Sequence, residues 1–206
     1  MSDISACNTI DGTVAFMKKG KATANVRMTT ALGDVTLVVT SSSVEALNLE
    51  PGDQVVALFR EVDVMLMKGQ GSISTNNRFP GTVRDMKQGG VTVEVPVEVA
   101  GGRRIVAVIA RTAAEEMGLA IGDQVIACVR EGDLLLTKGG ALSIRNRLQG
   151  TITGLRPGTV TTEITLDTGN GEIHALLARS TAEEMGLAAG DRVSALVRER
   201  DFLIQR

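Results

Sequence analysis

The chain has 206 residues, a net charge of -2 and an isoelectric point near 5.5, a balance that argues against a dedicated nucleic-acid or acidic-membrane binder. With four Phe and no Trp or Tyr it also lacks the aromatic platforms on which single strands stack, so its core must be Val, Ile, Leu and Met. Cys7 and Cys128 have neither metal-ligand spacing nor the density of a disulfide scaffold and read as free thiols. No apolar run reaches the ~18 residues of a membrane span, and no signal-peptide pattern opens the chain, so a soluble cytoplasmic protein is expected.

In chain order, "SACNTIDGTV" from Ser5 starts a strand, and Ser42 with Glu45 fits a capping box for a short helix that Asn48 can end in the left-handed conformation. "LEPGDQV" then turns the chain into "FREVDVML", a charged figure at Arg60 between two apolar runs. After the short "KGQGS" connection, "STNNRFPGTV" from Ser74 begins the same order again. Alternation in "VTVEVPVEV" at 91–99 predicts a half-buried strand, "AGGRR" a hairpin turn, and Thr112 with Glu115 and Gly118 a capped helix. "LAIGDQV" leads to the second figure, "VREGDLLL", at Arg130. Following "KGGAL", the third passage runs from "SIRNRLQGTI" at Ser143 through the "DTGNGE" turn and a helix at Ser180, Glu183 and Gly186 to "VRERDFLI" at Arg198.

These are three copies of one unit. Asn8, Asn77 and Asn146 are each 69 residues apart, as are Gly12, Gly81 and Gly150. The expected organisation is mainly β: three tandem OB-like Greek-key β-barrels, each with one short helix, at 1–70, 71–140 and 141–206. A unit this small buries only about 60% of its unfolded surface, so the units are expected to pack on one another.

The leading Ser-x-x-Asn-x-x-x-Gly, the helix ending in Gly-Leu-x-x-Gly and the late basic residue before an apolar strand together resemble the Mop domain of the molbindins and the related TOBE domains. The resemblance covers nearly the whole chain three times. It implies a barrel that binds molybdate or tungstate between neighbouring Mop domains, with storage or buffering as the role. Six Mop domains commonly form one particle in that family, so three per chain imply a homodimer. The family motif Ser-x-Arg-Asn maps onto Ser5 and Asn8, Ser74 and Asn77, and Ser143, Arg145 and Asn146; its arginine is replaced by Cys7 and Asn76 in the first two units. The late basic ligand maps onto Arg60, Arg130 and Arg198. Each is followed by a glutamate, Glu61, Glu131 or Glu199, that the family pattern does not contain.

Chemistry supports such a donor set. Molybdate and tungstate are tetrahedral dianions that only accept hydrogen bonds, so hydroxyls, amides, guanidinium forks and backbone N–H groups suit them. A carboxylate facing the same pocket would repel the ligand, which makes the direction of the three glutamates decisive. Asp63, Asp133 and Asp201 read as turn residues. No catalytic constellation is expected: the single histidine, His174, aligns with Thr36 and Val106 in the other units, and no phosphate loop or Cys/His cluster occurs. A different class remains open, in which the barrels serve as an assembly scaffold or regulatory module without an oxyanion site.

Overall fold

The computed structural model describes residues 4, 6, 8–69, 71–144 and 146–201, with the backbone alone at Glu199. Ser5, Cys7 and Arg145 therefore lie outside the described residues. The first passage forms β1 (Asn8–Lys19), β2 (Thr23–Thr30), β3 (Gly33–Thr40), helix α1 (Ser41–Ala46), β4 (Gln54–Phe59), a 3-10 turn over Glu61–Asp63 and β5 (Met65–Lys68). The second forms β6 (Asn77–Val83), β7 (Lys87–Gln88), β8 (Thr92–Val99), β9 (Arg104–Ala110), α2 (Arg111–Glu116), β10 (Gln124–Val129), a 3-10 turn over Glu131–Asp133, β11 (Leu135–Lys138) and β12 (Ala141–Leu142). The third forms β13 (Asn146–Pro157), β14 (Thr161–Asp167), β15 (Glu172–Ala178), α3 (Arg179–Glu184), β16 (Arg192–Val197) and a 3-10 turn over Glu199–Asp201. The protein is mainly β, with antiparallel sheets and one short α-helix per repeat among the described residues.

Period-two patterning sets the strand faces. In β2 every second side chain, Ala24, Val26 and Met28, is buried while its neighbours face outward. The repeated glycine of the leading motif permits close strand approach: a Cβ on Gly12 would lie 2.7 Å from the Thr29 carbonyl oxygen, and one on Gly81 would collide with that of Glu98. Asn48, Gly118 and Gly186 take left-handed conformations just past the three helices, as expected (φ 43°, 52° and 60°).

The helices start earlier than the expected capping boxes place them. Thr40 caps α1 by accepting the Ser43 N–H at 3.2 Å, while α2 and α3 follow Ala110 and Ala178, which have no capping side chain. Strand runs directly into helix, so Thr112 and Ser180 fall inside the first helical turn. The first helical N–H of each helix donates instead to a hairpin carbonyl, Ser41 to Ala22, Arg111 to Val91 and Arg179 to Val160.

Two compact units result, 1–143 and 144–206. Within the first, the late strands change places. β11 of the second repeat pairs with β4 of the first, and β5 of the first pairs with β10 of the second. One six-stranded sheet has the order β12-β11-β4-β1-β2-β3; the other runs β5-β10-β6-β8-β7, with β9 on β8. A single apolar core passes through both repeats, from Ile10, Met28 and Leu37 to Phe79, Val97 and Leu136. The repeats expected at 1–70 and 71–140 thus each take their closing strand from the other, because the turn after β4 or β10 directs the chain away from its own sheet. The second unit has a four-stranded sheet, β15-β14-β13-β16, around a small buried cluster of Ile152, Ile164 and Leu166.

Candidate functional site

The exchange brings the two late charged figures of the first unit to the seam between its repeats. The Glu61–Asp63 turn packs on β9, and the Glu131–Asp133 turn on β3. In each figure the arginine is gripped by the aspartate three residues later. Arg60 donates from Nε and from a terminal nitrogen to the two Asp63 carboxylate oxygens, both at 2.8 Å. Arg130 donates from Nε to Asp133 Oδ2 at 2.7 Å, and Arg198 does the same to Asp201 at 2.6 Å. Asp133, and more weakly Asp63 from the other repeat, raise the Arg130 pKa and hold its guanidinium charged. The aspartates were expected only as turn residues. The threefold Arg-Glu-x-Asp spacing is the signal that could have exposed them, since i and i+3 side chains meet across a helical turn.

The Asp133 carboxylate is wholly buried while the Arg130 side chain is 62% exposed. A guanidinium held at its Nε edge keeps a planar fork pointing outward, preorganised for an oxyanion. Glu131 does not share that direction. Glu131 Oε1 accepts the Asn76 backbone N–H at 2.8 Å and the Asn76 amide at 3.0 Å, so it serves the leading segment of its own repeat. Glu61 is buried, and the Glu199 side chain lies outside the described residues.

The leading motifs serve mainly to join repeats. Asn8 Nδ2 donates to the Val106 carbonyl at 2.9 Å while its Oδ1 accepts the Val106 N–H at 2.8 Å. Asn77 does likewise at Thr36, with both bonds at 2.8 Å. Each buried amide thereby caps an open strand edge of the other repeat. Ser143 Oγ accepts the Leu136 N–H at 2.9 Å, and its carbonyl accepts Ser43 Oγ at 2.8 Å. Ser74 is exposed and Asn146 half-buried. The structure thus puts Arg60 and Arg130 beside the two turns at the seam and Asn8 and Asn77 along it, and places Arg198 and Asn146 in the second unit.

Two lysines outside the expected set complete the exchange. Lys68 at the end of β5 donates to Asp123 and to the Gly118 carbonyl, both at 2.7 Å; Lys138 at the end of β11 does the same at Asp53 and Asn48. These lysines hold the Asp123 and Asp53 carboxyls below the usual carboxylate range, helped by the Ala120 and Glu50 N–H groups. Each cation also meets the carbonyl end of a helix.

No cluster of three or more His, Cys, Asp or Glu side chains suited to a metal ion occurs among the described residues. Cys128 is a buried free thiol, and burial raises its pKa, which makes it a poor nucleophile. His174 is exposed, with Nδ1 3.3 Å from Thr165 Oγ1 and 3.7 Å from Glu163. Among the described residues no helix is long and apolar enough to cross a membrane.

The model of the TOBE domain matches residues 4–66, 73–135 and 142–198. The chain is 31% identical over 163 residues to the molybdenum transport protein ModE of Azotobacter vinelandii, covering 78% of this chain and 59% of that one. It is 36% identical over 135 residues to the molybdenum-pterin-binding protein MopA of Rhodobacter capsulatus, covering 64% of this chain and 51% of that one. It thus spans between half and three-fifths of these relatives. Among solved structures, the cytoplasmic molybdate-binding protein ModG with molybdate bound superimposes with a TM-score of 0.64 at 32% identity, over 67% of this chain and 99% of that one.

Proposed function

Since the chain belongs to the TOBE-domain family, in the tandem arrangement of the molbindins, we propose that it binds a small tetrahedral oxyanion, molybdate or tungstate, at the seam between exchanged repeats. The observation that carries this reading is the two arginines there, Arg60 and Arg130, each fixed by an aspartate three residues on, of which Asp133 is buried. Capture needs no chemistry, so the protein acts as a binder and not as an enzyme. Its role is storage or buffering, in the cytoplasm, where ModG is described as working. The donors Arg60, Arg130 and Arg198 carry the charge recognition. Ser5, Ser74, Ser143, Arg145 and the three asparagines frame the sites, Asn8 and Asn77 by holding the seam closed. The chain pairs with a second copy, giving six repeats, and needs no cofactor and no nucleic-acid or membrane partner.

Calorimetric titration of the full chain with molybdate, tungstate, sulfate and phosphate tests the reading. Binding of the first two is expected, with Arg130→Ala losing about 1.5–3 kcal/mol, roughly 10- to 100-fold in Kd. Absence of heat with all four anions would overturn the oxyanion reading. The use of Asn8, Asn77 and Ser143 as joints between repeats would then favour the alternative of an assembly scaffold.

A further inference from the structure

The two charged figures of the first unit share a backbone but not an environment. Each is a 3-10 turn packed on a strand of the other repeat, Glu61–Asp63 on β9 and Glu131–Asp133 on β3. The middle residue is Val62 in one turn and Gly132 in the other. On the strands the corresponding residues are Val108 and Val38, each two positions beyond the residue whose backbone an asparagine amide holds. Val108 is 6% exposed and Val38 38%. Their neighbours on the same face show the same bias, Val106 being buried and Thr36 half-buried. A valine brings an apolar side chain to the strand it packs on and a glycine brings none, so the β3 side is left open.

The arginines differ in the same sense. Arg60 commits Nε and a terminal nitrogen to the two oxygens of Asp63, a bidentate pair that closes one edge of its guanidinium. Arg130 donates from Nε alone among the described residues, and its side chain is 62% exposed against 45% for Arg60. Both terminal nitrogens of Arg130 are left for a ligand. The buried Asp133 carboxylate fixes the guanidinium from behind, and the Glu131 carboxylate is held at Asn76.

We propose that these two positions are unequal: Arg130 is the open oxyanion seat of the first unit, Gly132 is the residue that keeps it open, and Val62 closes the equivalent seat at Arg60. A tetrahedral dianion accepts the terminal N–H groups of Arg130 in fork geometry and takes the space beside β3 that a side chain at position 132 would fill. At Arg60 the same approach meets Val62 and must displace a bond to Asp63. Gly132 therefore determines access without donating anything to the ligand. The inference rests on the oxyanion reading above and gives its two seam arginines different weights.

Arginine modification by phenylglyoxal, mapped by mass spectrometry on the full chain with and without tungstate, is the test. Tungstate is expected to slow modification of Arg130 and to leave that of Arg60 unchanged. Gly132→Val should abolish the protection and raise the tungstate dissociation constant about 10-fold in calorimetry. Its thermal unfolding should match the native chain's, because the equivalent 3-10 turn already holds a valine. Val62→Gly should extend protection to Arg60. Equal protection of both arginines in the native chain, a measurement that needs no variant to fold, would overturn the inequality while leaving the oxyanion reading in place. Tungstate binding untouched by Gly132→Val, or Arg60 still unprotected in Val62→Gly, would overturn the role of the middle residue. Neither heat nor protection with tungstate would refute the oxyanion reading itself, and this inference with it.

Discussion

The first two repeats and the third are written from one template yet buried to very different depths. In the unit of residues 1–143 a single core runs through both repeats, and strands β5 and β11 each complete the sheet of the other repeat. In residues 144–206 the buried apolar cluster is reduced to Ile152, Ile164 and Leu166, and Leu148 and Leu176 stand 41% and 58% exposed. A repeat of this size has too little interior to close alone, so its stability comes from what is laid on it by a neighbour. The contrast among the described residues is therefore between two repeats that share one core and one with a small cluster of its own, not between two kinds of fold.

The largest effect expected to separate the units is in the exchanged strand. Leu136, fully buried against the sheet of the other repeat, should cost about 2–5 kcal/mol as Leu136→Ala in urea unfolding. Leu148→Ala, at protein concentrations low enough to keep the chain single, should cost less than about 1 kcal/mol. Equal losses at the two positions would show that Leu148 is packed as tightly as Leu136.

Next come the amide joints. Asn77→Ala strands the N–H and C=O of Thr36, whose partners are 2.8 Å away, and should destabilise the first unit by about 1–3 kcal/mol. Asn146→Ala in the dilute chain should change stability by less than about 0.5 kcal/mol. Equal losses would mean that the half-buried Asn146 already has an equivalent partner within one chain.

The smallest effect is in pH. The folded pKa values of Asp53 and Asp123 are depressed by Lys138 and Lys68, so the stabilisation is complete above the ordinary carboxylate value, about pH 4, and is lost as pH falls through the lowered folded values. Thermal unfolding between pH 5 and pH 2 should fall less steeply for the Asp53→Asn, Asp123→Asn variant than for the native chain. Parallel slopes would show that the lysine latches do not contribute.

Much of the architecture was legible residue by residue. The 69-residue offset of Asn8, Asn77 and Asn146 revealed the repeats, strand alternation gave their faces, and Asn48, Gly118 and Gly186 marked the helix ends. Helix starts are not legible in the same way, because a hydroxyl followed three residues later by glutamate fits a cap wherever the backbone turns. Here the strand continues into the helix and a hairpin carbonyl takes the first N–H. At the site the arginines are legible, but their i+3 aspartates read as turn residues, and the asparagines' partners are invisible because they lie 41 and 98 residues away.

The sequence by itself determined a threefold mainly β chain with one short helix per repeat and a basic residue at the same point in each, because periodicity and turn chemistry act over a few neighbours. Where each closing strand goes was decided by tertiary structure. Local propensity is satisfied equally whether Met65–Lys68 closes its own repeat or the next, and only the shared core, the asparagine joints and the lysine latches distinguish the two. The same physics settled the three glutamates' question at Glu131: its carboxylate finds two N–H donors on Asn76, and the guanidinium of Arg130 is left to Asp133.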